Sequence, residues 1–170
     1  MAWDPLAAFW LADIYCAKCE GAGMRATAPC NCVFRAIFRA CFKQFEECSI
    51  GGPLGVGIEN KPGSSPTYCR KREEYLADFC LVSRRHLSAE EFQLLTAHFI
   101  HGKERAACMR KLRMDRGTFA HAVYRVQQKC GRAFAEVEPY PLYPLGSYFS
   151  SEAGSPRMFH NAPTFAGSHL

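Results

Sequence analysis

Apolar residues recur at spacings of three and four along most of the chain, which is the pattern of amphipathic α-helices. A short first helix should begin at Pro5 and be capped by Asp4, because proline suits the first helical position. The same spacing predicts longer helices over residues 33–48, 68–85, 89–101, 103–112 and 116–135. No strand-rich region is evident, so the fold class is predicted to be mostly α.

Polar residues and glycine mark where these helices begin and end. Ser88 and Glu91 form an S-x-x-E capping box ahead of the helix at 89–101, and Gly102 should end that helix. Asp115 is placed to cap the last long helix. An apolar face on the first helix is formed by Trp3, Leu6, Phe9 and Trp10.

Two stretches cannot sustain a helix and divide the chain. Residues 49–67 contain five glycines and three prolines, which indicates a linker or long loop. Prolines at 139, 141 and 144 instead indicate an extended, tyrosine-rich strap over 136–149 that packs on the helices. The predicted organisation is therefore a zinc-stapled part at 1–48, a linker at 49–67, a helical part with its strap at 68–149, and a disordered tail at 150–170.

Ten cysteines in 170 residues need an explanation. The first fifteen residues lack the basic start of a secretory signal, so we expect a reducing compartment, where cysteines serve as metal ligands, buried apolar residues or reactive thiols. Four of them form a C-x-x-C pair and a C-x-C pair within 17 positions, namely Cys16, Cys19, Cys30 and Cys32. Zinc takes four such thiolates at tetrahedral corners, and all four positions would be protein ligands, as in structural sites.

Two other uses of these four cysteines stay open at this point. An iron–sulfur cluster also takes four thiolates, and a C-x-x-C pair can act in redox chemistry. Among the remaining cysteines, four fall at apolar positions of the predicted helices and are expected to pack in the core: Cys41, Cys80, Cys108 and Cys130. The stretch around the first pair resembles half of the zinc-binding C-x-x-C-x-G-x-G repeat of the J-protein cochaperones, through Cys16, Cys19, Gly21 and Gly23. The second pair departs from it, so the resemblance implies a metal site and not chaperone activity.

Positive charge is concentrated in one part of the chain. The net charge is +5, and residues 103–132 alone carry nine basic and two acidic residues, so the remainder is slightly acidic. A basic surface of this kind is what binding to a duplex requires, because phosphate neutralisation supplies much of the affinity. The longest apolar stretches fall short of the ~20 residues of a membrane span. No paired carboxylates, Ser/His/Asp order or phosphate loop is present, so we expect no enzyme activity.

A short helix with two alanines, a tight turn and a longer helix follow one another between residues 103 and 135, which is the helix-turn-helix plan. Residues 87–135 resemble region 4 of bacterial sigma factors, through Leu87, Ser88, Glu91, Leu94, Leu95, Gly102, Ala106, Ala107, Leu112, Met114, Asp115, Gly117, Thr118 and Phe119. The resemblance implies a recognition helix that starts after Asp115. Base contacts would come from Arg116, Thr118, His121 and Arg125, and phosphate contacts from Arg110, Lys111, Arg113, Lys129 and Arg132.

The combination of a zinc element with this helix pair resembles, in arrangement, the Q-type late-gene antiterminators of phages. That resemblance implies double-stranded DNA and RNA polymerase as partners, in the bacterial cytosol or nucleoid. Arg35, Arg39 and Lys43 stand four apart on the helix at 33–48 and form either a second binding face or an ordinary solvated surface. The first alternative to a DNA-binding regulator is a zinc-stabilised protein-interaction adapter with a basic binding face. A thiol redox enzyme is the second alternative and ranks below it. The oligomeric state is left open.

Overall fold

The structure is a computed structural model that describes residues 3–50 and 66–150, with the side chains of 66–70 excluded. Seven α-helices lie in this part of the chain: α1 Pro5–Leu11, α2 Asn31–Ile50, α3 Pro66–His86, α4 Ala89–Leu94, α5 Arg105–Leu112, α6 Arg116–Glu136 and α7 Leu145–Ser150. A two-residue hairpin, β1 Met24–Arg25 and β2 Ala28–Pro29, precedes α2. The prediction of a mostly α fold is confirmed. Among the described helices, none has both the length and the apolar character that crossing a membrane demands.

Helices α2 and α6 form the centre of the fold, and α3 packs against both of them. Gly131 of α6 lies directly on the backbone of α2, since a Cβ atom at this position would stand 1.8 Å from the carbonyl oxygen of Phe34. This close approach brings the rings of Phe38 and Phe134 together, and Phe79 of α3 packs on Phe134 with ring centroids 4.8 Å apart. Helices on both sides of residues 49–67 therefore contribute to one shared core.

The caps read from the sequence are present in the structure. The Asp4 carboxylate accepts a hydrogen bond from the Leu6 amide, and Ser88 and Glu91 form the reciprocal capping box. The Asp115 carboxylate accepts from the amides of Gly117 and Thr118. Local sequence is sufficient for these features because donor and acceptor are only two or three residues apart.

Several boundaries differ from those predicted. Helix α4 continues as one turn of π-helix over Leu95–Ile100, and no local sequence signal announces it. Residues 49–50 belong to α2 and 66–67 to α3, so the predicted linker is shorter at both ends, and its centre lies outside the described residues, as does the tail after Ser150.

The C-terminal strap is only partly extended. Its last residues form α7, contrary to the prediction, while Leu142 is buried and its amide donates to the carbonyl oxygen of Phe134. The prolines that exclude a helix end at Pro144, and α7 begins directly after it.

The apolar face of α1 is mostly exposed to solvent. Its one buried residue is Ala8, whereas Leu6, Phe9 and Trp10 are more than half exposed. Trp3, just ahead of the helix, packs edge-on against Phe34 instead. The amphipathic pattern of this segment therefore marks a surface as well as a contact with the core.

Candidate metal centre and nucleic-acid interface

Two short elements deliver the four cysteines of the candidate metal centre. Cys16 and Cys19 lie in the turn after α1, where the Cys16 carbonyl accepts hydrogen bonds from the amides of Cys19 and Glu20. Cys30 follows β2 directly, and Cys32 is the second residue of α2. The hairpin thus returns the chain so that the second pair faces the first.

The sulfur atoms have the spacing that a tetrahedral metal ion needs. All four Sγ atoms lie within 4.8 Å of one another. Cys16 Sγ is 3.8 Å from Cys30 Sγ, and Cys19 Sγ is 3.6 Å from Cys32 Sγ. A tetrahedron with metal–sulfur distances of ~2.3 Å has edges of ~3.8 Å. The cluster also contains no disulfide, so four free thiols converge on one point, and the predicted set of four ligands could hold a metal ion.

Glycine is required where this loop touches α1. Gly23 has φ +76°, and a Cβ atom there would lie 2.3 Å from the carbonyl oxygen of Ala8. The Gly23 carbonyl accepts a hydrogen bond from the Cys30 amide, which ties the loop to the second ligand pair. The metal loop and α1 are therefore held as one unit by a close backbone contact.

The environments of the four thiols differ. Hydrogen bonding to the backbone of Lys18, opposed by partial burial, lowers the pKa of Cys16 to about 7. Burial raises the pKa of Cys30 and raises that of Cys32 to about 12. Cys16 therefore loses its proton easily, whereas Cys30 and Cys32 do not. A bound metal ion would stabilise the thiolate form of all of them, including the two that burial disfavours.

The scattered cysteines behave as core residues. Cys41, Cys108 and Cys130 are buried, and Cys80 is half-buried. Burial raises the pKa of both Cys41 and Cys130 to about 12, which makes these thiols inert. The expectation that these four cysteines pack among apolar residues is confirmed for the first three and holds in part for Cys80.

Helices α5 and α6 are joined by a turn of three residues. Arg113 ends α5 in a left-handed conformation, with φ 52° and ψ 44°, and the Met114 amide donates back to the Met109 carbonyl. The Arg105 guanidinium donates to the carbonyl of Arg116, so the start of α5 is also tied to the start of α6. The pKa of Asp115 is lowered by the hydroxyl of Thr118 and by the first amides of α6, which keeps the cap ionised.

Three of the four residues predicted to contact bases share one exposed face of α6. Thr118, His121 and Arg125 are exposed and stand three and four residues apart, which places them on the same side of the helix. Arg116 is exposed too, but the nine residues to Arg125 make about two and a half turns, so it projects from the opposite side. The structure therefore separates Arg116 from the other three.

The residues predicted to contact phosphates fall into two groups. Arg110, Lys111 and Arg113 are exposed at the end of α5 and in the turn. Lys129 instead forms an ion pair of 2.8 Å with Glu91, and the Arg132 guanidinium lies 4.6 Å above the ring of Phe34. These two cations already have partners within the protein.

Glu91 is a residue that sequence reasoning assigned only to a helix cap. Burial disfavours its charged form, but hydrogen bonds from Lys129 and the Ser88 amide, with the charges of Lys129 and Arg125, outweigh that cost and lower its pKa. The carboxylate thus lies between α4 and α6 beside the predicted recognition face. Glu91 and Lys129 are 38 positions apart in the sequence, so no local spacing predicts this pair.

The second basic face meets α6 through one stacked contact. The Arg35 guanidinium lies 4.0 Å from the ring centroid of Tyr124, and its Nε donates to Gln127. Arg39 and Lys43 continue along the exposed side of α2, where Lys43 is 4.0 Å from the carboxylate of Glu47. Arg35, Arg39 and the exposed side of α6 therefore lie on neighbouring helices, an adjacency that only the packing of α2 on α6 creates.

Comparison of the chain with protein-family models, with curated proteins and with solved structures gave no match.

Proposed function

We propose that this protein is a sequence-specific DNA-binding transcription regulator in which α6 is the recognition helix. The observation that carries the proposal is the exposed face formed by Thr118, His121 and Arg125, directly after the tight turn that follows α5. The N-terminal half of a helix placed in this way enters the major groove in helix-turn-helix proteins. Arg125 supplies a fork of donors that suits a guanine edge, and His121 offers a single donor or acceptor. The Thr118 hydroxyl donates to the Asp115 carboxylate and offers an acceptor.

Charge around this face supports the same proposal. Arg110, Lys111 and Arg113 are exposed beside the turn and are free of ion pairs within the described part of the chain. Such residues position a protein on the phosphate backbone without reading sequence. Arg35 and Arg39 extend the basic surface onto α2, where stacking on Tyr124 holds the Arg35 side chain in place.

Binding to duplexes selected from a random pool tests the proposal by fluorescence anisotropy. Arg125→Ala should weaken binding to the selected sequence about tenfold or more and relax the preference at one position. Arg110→Ala should weaken binding to all duplexes and reduce the slope of log affinity against log salt by about one. Arg25→Ala is the matched control, because Arg25 is also an exposed arginine and lies on the hairpin.

Two outcomes contradict a sequence-specific regulator. Selection that enriches no sequence, or an affinity that Arg125→Ala and Arg25→Ala reduce equally, would leave only non-specific attraction of a basic surface. Binding of an acidic protein with no measurable affinity for DNA would instead favour the adapter.

We also propose that the protein acts together with RNA polymerase, as an activator or antiterminator of phage or prophage origin. The resemblance in arrangement to Q-type antiterminators motivates this step. Footprinting of the polymerase on the neighbouring promoter, with and without the protein, checks it. An unchanged footprint and no co-purification of polymerase would contradict it.

The metal of the four-cysteine centre is proposed to be structural zinc. Four thiolates leave no open position for water, which is the character of a structural site and not of a catalytic one. Metal analysis should find one zinc per chain, which Cys30→Ser abolishes and Cys80→Ser leaves intact. A visible iron–sulfur absorption, or a metal-free protein with a reversible Cys16–Cys19 disulfide, would overturn this assignment.

A further inference from the structure

Within the described residues, one apolar surface next to the metal centre is exposed. Leu6, Phe9 and Trp10 of α1 and Ile14 and Tyr15 of the following turn are all more than half exposed, with Trp10 at 80% and Tyr15 at 88%. We call these five residues the α1 patch. Most of the other exposed large apolar residues in the described part of the chain stand singly, as Leu81 does on α3.

The size of the α1 patch is that of an interface. Large apolar side chains cover about 150–250 Å² each and these five are between 54% and 88% exposed, so together they expose on the order of 500–900 Å². Single chains rarely expose contiguous apolar patches above about 300–600 Å². A standard protein interface buries about 800 Å² on each partner. The exposed area of the patch is therefore comparable to one side of a stable complex.

The α1 patch carries almost no charge, and this restricts the kind of surface that can bind to it. Between Pro5 and Cys16 the one carboxylate is Asp13, which accepts a hydrogen bond from the Tyr15 amide, and there is no lysine or arginine. A surface without fixed charge meets its own copy without repulsion, whereas the basic faces of α2 and α6 would repel theirs. A two-fold interface needs this self-complementarity.

We propose that the α1 patch is the interface of a homodimer, with the patches of two copies of this chain packed against each other. The close contact of Gly23 with Ala8 gives α1 a rigid support, so the metal loop holds the patch in place for docking. The proposal is independent of DNA binding and is tested without nucleic acid.

Sedimentation velocity of the full metal-loaded chain, from about 1 to 100 µM, tests the dimer. The wild type should be dimeric at tens of micromolar, and Leu6→Glu/Ile14→Glu should raise the dimer dissociation constant at least tenfold. Leu81→Glu/Ile50→Glu is the matched control, because it places the same two charges on exposed leucine and isoleucine elsewhere. A wild type that stays monomeric, or two variants that associate alike, overturns the proposal.

The fluorescence of Trp10 provides a second measurement, which is made on the wild-type chain. Its indole should lose contact with water on dimerisation, so the wild-type emission should shift to the blue with concentration, and Trp10→Phe should abolish the shift. Trp3 supplies little of that signal, since it already packs on Phe34. A monomer with blue-shifted Trp10 emission at every concentration would show that the patch is covered within one chain, and would equally overturn the dimer.

Discussion

Gly131 gives the sharpest test of the fold, because α2 and α6 touch there through backbone atoms. An alanine Cβ would stand 1.8 Å from the carbonyl oxygen and 2.6 Å from the carbonyl carbon of Phe34. Ordinary contact needs well over 3 Å, so the helices must separate by more than an ångström. A side chain cannot rotate to relieve the clash, since both partners are fixed by helical geometry.

The expected cost of Gly131→Ala follows from two opposing effects. Alanine in a helix is favoured over glycine by about 0.8–1.0 kcal/mol. Overpacking costs about 1–3 kcal/mol when side chains can adjust, and more when backbones collide. A gap of 0.5–1 Å also removes a quarter to a half of the dispersion energy between facing atoms, here the rings around Phe38 and Phe134. The net loss of unfolding free energy should be about 3 kcal/mol.

Urea unfolding followed by circular dichroism measures this loss. With a slope of about 2 kcal/mol per molar urea, the midpoint should fall by about 1.5 M. Gly146→Ala in α7 is the control, because a Cβ there meets nothing within 4 Å, and its midpoint should hold or rise slightly. Equal midpoints for Gly131→Ala and the wild type would refute the close approach of α2 and α6.

Three further outcomes are expected. Glu91→Gln should lower the unfolding free energy by about 1–2 kcal/mol at neutral pH, since it weakens a charged hydrogen bond to Lys129. Because folding lowers the pKa of Glu91, this contribution is complete above the usual carboxyl pKa of about 4.3 and is lost as the pH falls through the lowered pKa of the folded protein. The urea denaturation curves of the two proteins should therefore converge with acidification, and a stability difference that stays constant from neutral to acid pH would contradict the ion pair. Ser88→Ala should cost about 1 kcal/mol in thermal unfolding through the lost cap, and an unchanged melting temperature would count against it. Gly23→Ala should weaken retention of the metal ion against a chelator, since its Cβ would strike Ala8, and retention equal to that of the wild type would argue against the loop geometry.

Much of the helical content could be read from the sequence because the signals are local. The caps at Ser88 and Asp115 involve partners two or three residues away, and apolar spacing marks the helix that each cap opens. The π-helical turn at Leu95–Ile100 and the two-residue hairpin had no such signal. A strand of two residues is too short to show alternation, and the extra residue of a π-turn does not change composition.

The candidate metal centre could be predicted because its signal is also local in the sequence. The candidate nucleic-acid interface could not be predicted in the same detail. Cys16 and Cys32 are separated by a short loop, so spacing alone brings the ligands near each other. Whether a basic residue of α6 is free to bind a ligand depends on partners that are far away in the sequence. Lys129 depends on Glu91, and Arg35 reaches Tyr124 only because α2 lies on α6.

The sequence by itself determined most of the helices, their caps and a four-cysteine cluster that could bind a metal, because each arises from residues within a few turns of one another. Tertiary structure alone decided which surfaces are covered. The apolar face of α1 has the same periodicity as that of α2, yet only α2 is buried by α6. Periodicity shows that a face is apolar, whereas its burial depends on whether another element, such as α6 at Gly131, comes close enough to exclude water.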